Sequence, residues 1–381
     1  MTGSLGMRMA KQGVSEVQFQ HRLIIEWPYH MTKHYRIAVL PGDGVGPEVT
    51  AEALKVLRAV EEKLGDLRFE FQEFSVGAGE YLRSGDPLPE ETFQRLKEFD
   101  AILLGAMGLP DVRWPNGTEM APQLDLRERL DLYCGLRPVR LYHAQDTPLK
   151  GCGAGDIDFA IVRENTEGLF FSRRSTFPPD AAEVRDTLRI SRLASERLFR
   201  AAFREASRRR GLVTLVDKAN VLPSMAFFRR IFDEIREEFP GLRTEKIYVD
   251  AASLYLVENP QRFDVLVTEN MFGDILSDLA AGLVGGMGMA PSGDIGQRYA
   301  VFQPSHGSAP DIAGRGIANP AAAILSAAMM LDWLPGAGRG GEIIRVAVEQ
   351  FFTRNEERTR DLGGALSCAE LGDRIVERIA A

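Results

Sequence analysis

This chain has little cysteine, no surplus of positive charge and no long apolar run, and each lack removes a class of function. No segment offers the roughly 18 consecutive apolar residues that cross a bilayer, so a membrane helix is excluded. Cysteine is confined to Cys134, Cys152 and Cys368, odd in number and far apart. Such a set makes neither a disulfide framework nor a zinc cluster, and it points to a reducing compartment, so a cytoplasmic protein is expected. Lys and Arg total 46 against 54 Asp and Glu, a formal net charge of −8. That balance argues against a nucleic-acid scaffold, which must neutralise phosphates. Internal repeats and low-complexity tracts are also missing. What remains is globular: 45% apolar and 26% charged residues exclude wholesale disorder. The length of 381 residues allows two domains or one large two-lobed unit, and 37 glycines suggest tight turns or loops that hug a ligand.

Residues 1–30 show no clear period. They have neither a signal-peptide core nor the composition of a transit peptide, and are expected to form an extension without order, outside the fold. From Tyr35 the pattern alternates strand and helix. The apolar run Tyr35–Leu40 ends in the glycine-rich loop Gly42-Asp43-Gly44-Val45-Gly46, and Pro47 opens a helix. Strands are predicted at Phe69–Val76, Ala101–Leu104, Phe159–Val162, Leu212–Val216, Ile247–Val249 and Val265–Val267. Helices are predicted at 89–98, 191–208, 222–237 and 270–281. This alternation implies an α/β fold with a largely parallel sheet, in which ligands collect beyond the carboxyl ends of strands.

Several residues near those ends invite a chemical reading. In Asn270–Leu279 a helix would place Phe272, Ile275, Leu276 and Leu279 on one apolar stripe, with Asp274 and Asp278 together on the opposite side. Two carboxylates one turn apart are either a solvated acidic face or a pair that shares a Mg2+ or Mn2+ ion. Asp250 follows a predicted strand and is a third candidate carboxylate. Lys218 leaves another strand, either as a surface charge or as a general base. Arg127, Arg137 and Arg163 are individually ordinary surface residues, or collectively a fork-shaped receptor for two carboxylates. The stretch from Ser305 to Asn319 is either a plain glycine-rich loop or one that lets the backbone approach phosphates, with Asp311 facing a ribose diol. The spacing of Gly42, Gly44 and Gly46 departs from the dinucleotide fingerprint and carries little weight by itself.

Taken together these pieces resemble the isocitrate/isopropylmalate dehydrogenase family of β-decarboxylating dehydrogenases, from about Tyr35 to the C-terminus. The block from Asn270 through Ser292 is the most specific part, and Leu40–Glu48 and His306–Pro320 also match. The resemblance implies the family's doubly wound α/β fold with two domains, one discontinuous: an NAD-binding domain of 31–132 plus 285–381, and a substrate and dimerisation domain of 133–284. It implies a homodimer with shared active sites. Arg127, Arg137 and Arg163 would hold the malate carboxylates. Lys218 would be the general base, reaching in from the neighbouring subunit, with Asp250 as a catalytic relay. Asp250, Asp274 and Asp278 would hold Mg2+ or Mn2+, with K+ a further candidate cofactor and Asp250 again crossing the interface. Asn220 would lie near the nicotinamide, His306, Gly307, Ser308 and Ala309 would line the adenosine diphosphate, and Asn319 would meet the adenine. Asp311 and Ile312 occupy the coenzyme-selecting positions, where a carboxylate disfavours a 2′-phosphate, so NAD is expected.

The implied reaction is oxidation of a malate-type 2-hydroxy acid by NAD, with a metal polarising the new ketone and loss of CO2. Tartrate, D-malate, 3-isopropylmalate, isocitrate and homoisocitrate are all open as substrates, and a catalytically silent regulatory subunit is the competing class. Two positions depart from the family pattern. Gln123 stands where isopropylmalate enzymes have a leucine, which fits a polar or small C3 substituent better than a branched alkyl. Phe170 replaces a tyrosine associated with protonating the enol, so the late acid step lacks its usual donor.

Overall fold

A β-strand exposes alternate side chains to opposite faces, so a strand that is apolar throughout must be covered on both sides. Strand β1 (Lys33–Gly42) does this: Ile37 and Val39 enter one core while Ala38 and Leu40 enter another. The structure, a computed structural model, describes residues 32–354 and 357–381. The extension expected over 1–30 lies outside the described residues.

The remaining strands are β2 (Leu67–Glu73), β3 (Ala101–Ala106), β4 (Cys134–Arg140), β5 (Asp158–Glu164), β6 (Leu212–Asp217), β7 (Arg243–Tyr248), β8 (Val265–Thr268), β9 (Pro291–Ile295) and β10 (Ala300–Pro304). They form one sheet in the order β2-β1-β3-β10-β9-β4-β5-β8-β6-β7. Both wings are parallel, as expected, but the centre is not: β10 with β9, β9 with β4 and β4 with β5 are antiparallel. The sequence pattern missed these three central strands, β4, β9 and β10. Gly135, Pro138, Pro291 and Gly293 give β4 and β9 poor strand propensity, and pairing with neighbours on both sides decides their conformation instead.

Helices cover both faces of each wing. On the β1 wing, one core gathers the helices Gly46–Leu64, Ala321–Trp333, Gly338–Arg354 and Cys368–Ala380, and the opposite face buries Phe93 and Leu126. On the β5 wing, Val162, Val213, Leu215, Val265 and Val267 meet the helices Arg192–Ser207 and Pro223–Arg236. Phe159, Ile161, Val216 and Leu266 meet the helices Val249–Glu258 and Asn270–Gly282. No helix among the described residues is long and apolar enough to cross a membrane.

Three local expectations need correction. The predicted strand at 69–76 begins at Leu67 and ends at Glu73. Val249 opens a helix rather than closing β7, which puts Asp250 in the first helical turn. On Asn270–Gly282 the buried stripe is Gly273, Leu276, Ser277 and Ala280, whereas Ile275 is 56% exposed. The apolar stripe read from the sequence therefore runs from the core onto the surface.

Candidate active site

Arg127 comes from the helix Pro122–Arg129, Arg137 from β4 and Arg163 from β5, so only the folded sheet brings them together. All three are buried, at 5%, 6% and 1% exposure, and all line one cavity of about 920 Å3. Gln123, Phe170, Asp274, His306 and Gly307 line the same cavity. The volume falls within the range of small-molecule sites.

Each arginine is held by specific partners. Arg127 Nε donates to Asp294 Oδ2 at 2.8 Å. Arg163 donates from Nε and Nη2 to Asn270 Oδ1, at 3.0 and 2.7 Å, and its Nη1 pairs with Asp274. Arg163 lies flat against the Asn270–Gly282 helix because residue 273 is glycine: a Cβ there would stand 2.7 Å from Arg163 Cγ. Arg137 donates to Ser277 Oγ and lies 3.8 Å from Asp274 and 3.7 Å from Asp278, while its Nε has no partner. Burial pushes the Arg163 guanidinium down to about 9, and the charges of Arg137 and Arg127 push the same way. Arg137 is lowered by burial and by Arg127. At about 9 the Arg163 guanidinium is still cationic at neutral pH. Such crowding of buried positive charge would be relieved by an anion, and the guanidinium geometry suits a carboxylate.

Asp274 and Asp278 sit one turn apart, with their side chains 41% and 59% exposed. Burial raises the Asp278 carboxyl, and the neighbouring Asp274 charge adds to it. Oxygen donors so arranged suit a hard divalent cation. They are an incomplete set, since no group of three ligating side chains forms among the described residues.

Lys218 follows β6, and its Nζ lies 2.7 Å from Asp250 Oδ1. Neither lines the cavity, and neither does the exposed Asn220 beside them. One chain thus assembles the arginines, Asp274, Gln123 and Phe170, and leaves Lys218, Asn220 and Asp250 outside. Phe170 sits in the turn Leu169–Ser172, with the Arg163 guanidinium carbon 5.2 Å from its ring centre.

The loop from His306 follows β10. Here the glycine string finds its physical reason: Gly44 has φ +60°, and a Cβ there would lie 1.9 Å from Ser308 O. With Val45 N donating to Ser308 O at 2.8 Å, the string braces this loop from behind. Ser308 is buried, Gly307 and Asp311 are exposed, and Ala309 takes φ +38°. Ile312 packs on the core. His306 Nδ1 lies 2.9 Å from Gly307 O, and burial holds the imidazole below its ordinary pKa. Buried Asn319 accepts from Ala321 N through Oδ1 at 3.0 Å and donates from Nδ2 to Asp361 at 3.1 Å.

Sequence reasoning missed the residues that hold the site. Asp294 accepts from Arg127, Asn165 and Gln303. Asp43 accepts three backbone amides, from Ala78, Gly79 and Gly108, each at 2.8 Å. Asp361 orients Asn319. An aspartate between two glycines, Asp43, was the one available signal.

Comparison with known proteins identifies the family. The family model described as isocitrate/isopropylmalate dehydrogenase matches residues 36–375. The 3-isopropylmalate dehydrogenase of Aquifex aeolicus is 42% identical over 359 residues, covering 91% of this chain and 98% of that one. The enzyme of the same name from Bacillus subtilis is 45% identical, covering 86% and 91%. The crystal structure of isocitrate dehydrogenase from Methylococcus capsulatus superposes with a TM-score of 0.81 at 36% identity, covering 91% of this chain and 100% of that one. The β-decarboxylating dehydrogenase of Thermococcus kodakarensis gives a TM-score of 0.75 at 40% identity, covering 91% and 96%. This chain belongs to the isocitrate/isopropylmalate dehydrogenase family and is an oxidoreductase acting on a CH–OH donor.

Proposed function

We propose that the protein oxidises a malate-type 2-hydroxy dicarboxylic acid, with NAD as hydride acceptor, a divalent cation as electrophile and loss of CO2 from the oxidised product. The observation that carries this reading is the convergence of Arg127, Arg137 and Arg163, buried and mutually repelling, on one cavity. Two substrate carboxylates would supply the missing anions. In this reading the three guanidiniums fix the acid so that its C2–H faces the loop from His306, and Lys218 takes the C2 hydroxyl proton. Asp274 and Asp278 of one chain, with Asp250 of a second copy, would hold Mg2+ or Mn2+, which supplies a Lewis acid for the C2 oxygen. His306–Ala309 and Asn319 would line the coenzyme, and Asp311 would face its ribose.

The reading includes a homodimer. Lys218 and Asp250 lie outside their own cavity, and around them stand exposed apolar side chains: Val221 at 64%, Leu254 at 53% and Val257 at 46%, with Ile275 on the adjacent helix. A second copy docked on this face would cover the patch and carry a base to the neighbouring cavity. We further propose that 31–132 plus 285–381 form the coenzyme domain and 133–284 the substrate and dimerisation domain. The strand order supports this: β1–β3, β9 and β10 occupy one side of the single sheet and β4–β8 the other. Three buried free thiols suit a cytoplasmic setting.

The test is NAD reduction over a panel of malate-type acids with Mn2+ and K+. NADH formation with at least one 2-hydroxy dicarboxylate, abolished by chelator, is expected. No turnover of any member would overturn the proposal.

A further inference from the structure

The motif Leu40–Glu48 ends in a glutamate that the site reading leaves without a role. Glu48 stands in the first turn of the helix Gly46–Leu64 and does not line the cavity. Its Oε1 accepts from Gly314 N, a contact between residues 266 positions apart. Its Oε2 is buried without a partner. An unpaired buried carboxylate oxygen costs stability, so packing alone gives no reason for a glutamate here.

Gly314 belongs to the loop that carries Asp311. The loop turns sharply, with Ala309 at φ +38° and Gly314 at +71°, so local propensity alone does not hold it. Its two ends are tied by main chain: Val45 N donates to Ser308 O and Cys368 N to Gly316 O, each at 2.8 Å. Between those ties Ile312 packs on the core, and Arg315 reaches only the Asp311 carbonyl, within the loop itself. Among the described residues, Glu48 is the one side chain from outside the loop that hydrogen-bonds its backbone between Ala309 and Arg315. The exposed Gly307 and Asp311 leave the outer side of the loop open to a ligand, while the inner side is braced.

We propose that Glu48 is a positioning residue for the coenzyme: by holding Gly314 it fixes the turn from which Asp311 meets the adenosine ribose. The inference rests on the coenzyme reading above. A carboxylate tells a ribose diol from a 2′-phosphate only while it is kept within hydrogen-bonding reach of the diol. A loop held in advance binds more tightly than one that must be ordered by its ligand. Released from Glu48, Asp311 grips the diol less well and also withdraws from a 2′-phosphate. NADH binding therefore weakens while NADPH is repelled less.

The experiment titrates the full-length protein with NADH and with NADPH, following coenzyme fluorescence, for wild type, Glu48→Ala and Glu48→Gln. Binding is read without the acid, so the identity of the substrate does not enter. Glu48→Ala is expected to weaken NADH about three- to tenfold and to narrow the NADPH-to-NADH Kd ratio by a similar factor. Glu48→Gln keeps an acceptor oxygen and should bind NADH within about twofold of the wild type. A merely destabilised fold lowers the number of sites or weakens both coenzymes alike. Unchanged NADH binding in Glu48→Ala, equal weakening of both coenzymes, or a Glu48→Gln as weak as Glu48→Ala overturns the inference and leaves the coenzyme reading standing. A wild type that fails to bind NADH, or binds NADPH as well, overturns both.

Discussion

Lys218 Nζ lies 2.7 Å from Asp250 Oδ1, and this ion pair stands outside the cavity that holds Arg127, Arg137, Arg163 and Asp274. The Lys218 hydrogen bond holds the Asp250 carboxyl below its usual range. A candidate base and a candidate metal ligand presented together on an exposed, apolar-flanked surface make sense if a second copy supplies the cavity. Lys218→Met and Asp274→Asn are each expected to fold and to lose nearly all turnover. Mixed and allowed to exchange subunits, they should regain part of it, because one hybrid site then carries an intact Lys218 opposite an intact Asp274. Complementation assays check this, and absence of recovery after verified exchange would place the base in its own subunit.

Coenzyme choice should follow Asp311. Its carboxylate is exposed on the loop after His306, and the nearby Arg315 donates to the Asp311 backbone carbonyl at 3.5 Å rather than neutralising the side chain. A 2′-phosphate brought there meets like charge. The ratio of kcat/KM for NAD over NADP is expected to exceed about tenfold, a bias of a little over 1 kcal/mol, and to fall in Asp311→Asn. Equal or better use of NADP by the wild type would sink the assignment.

Phe170 packs its ring 5.2 Å from the Arg163 guanidinium carbon, so the phenyl lies beside a buried cation of the cavity without offering a proton. General acids typically speed the step they serve by roughly 10²–10⁴-fold. The expected outcome is that NADH appears faster than CO2 in the wild type, and that Phe170→Tyr raises the CO2-to-NADH ratio. Parallel measurement of the two products decides it, and a wild-type ratio already at unity with no gain in the variant would dispose of the idea.

Burial raises the Cys134 and Cys368 thiols from about 9 to about 12. A raised pKa means the folded state holds the proton more tightly than the unfolded chain. The resulting stability is fully present below about pH 9 and is lost as pH climbs from there towards 12. Thermal unfolding should therefore show a falling midpoint across that window, with the fall reduced in Cys134→Ala. Native protein at pH 8 is expected to react with a thiol reagent only at the rate of unfolding.

The alternation of apolar runs with helical periods is written locally, and it suffices for the α/β class and for the helices at 191–208, 222–237 and 270–281, correct to within a residue. The family block Asn270–Ser292 and the Asp274/Asp278 spacing are equally local, since a turn of helix brings i and i+4 together in any context. Nothing local marks β4 and β9 as strands: glycine and proline weaken them, and they exist because the sheet needs a central antiparallel pair. Arg127 and its partner Asp294 are 167 residues apart, and no pattern within either segment announces the other. Which face of Asn270–Gly282 is buried was likewise undecided by its periodicity, because Ile275 and Leu276 are both apolar and only packing against β5 chooses between them. The residue types of the site could be read from the sequence, because chemistry restricts which side chains can bind carboxylates or a cation. Their assembly into a cavity, and the exclusion of Lys218 and Asp250 from it, was decided by the tertiary structure, because distance in space is set by strand order and not by position along the chain.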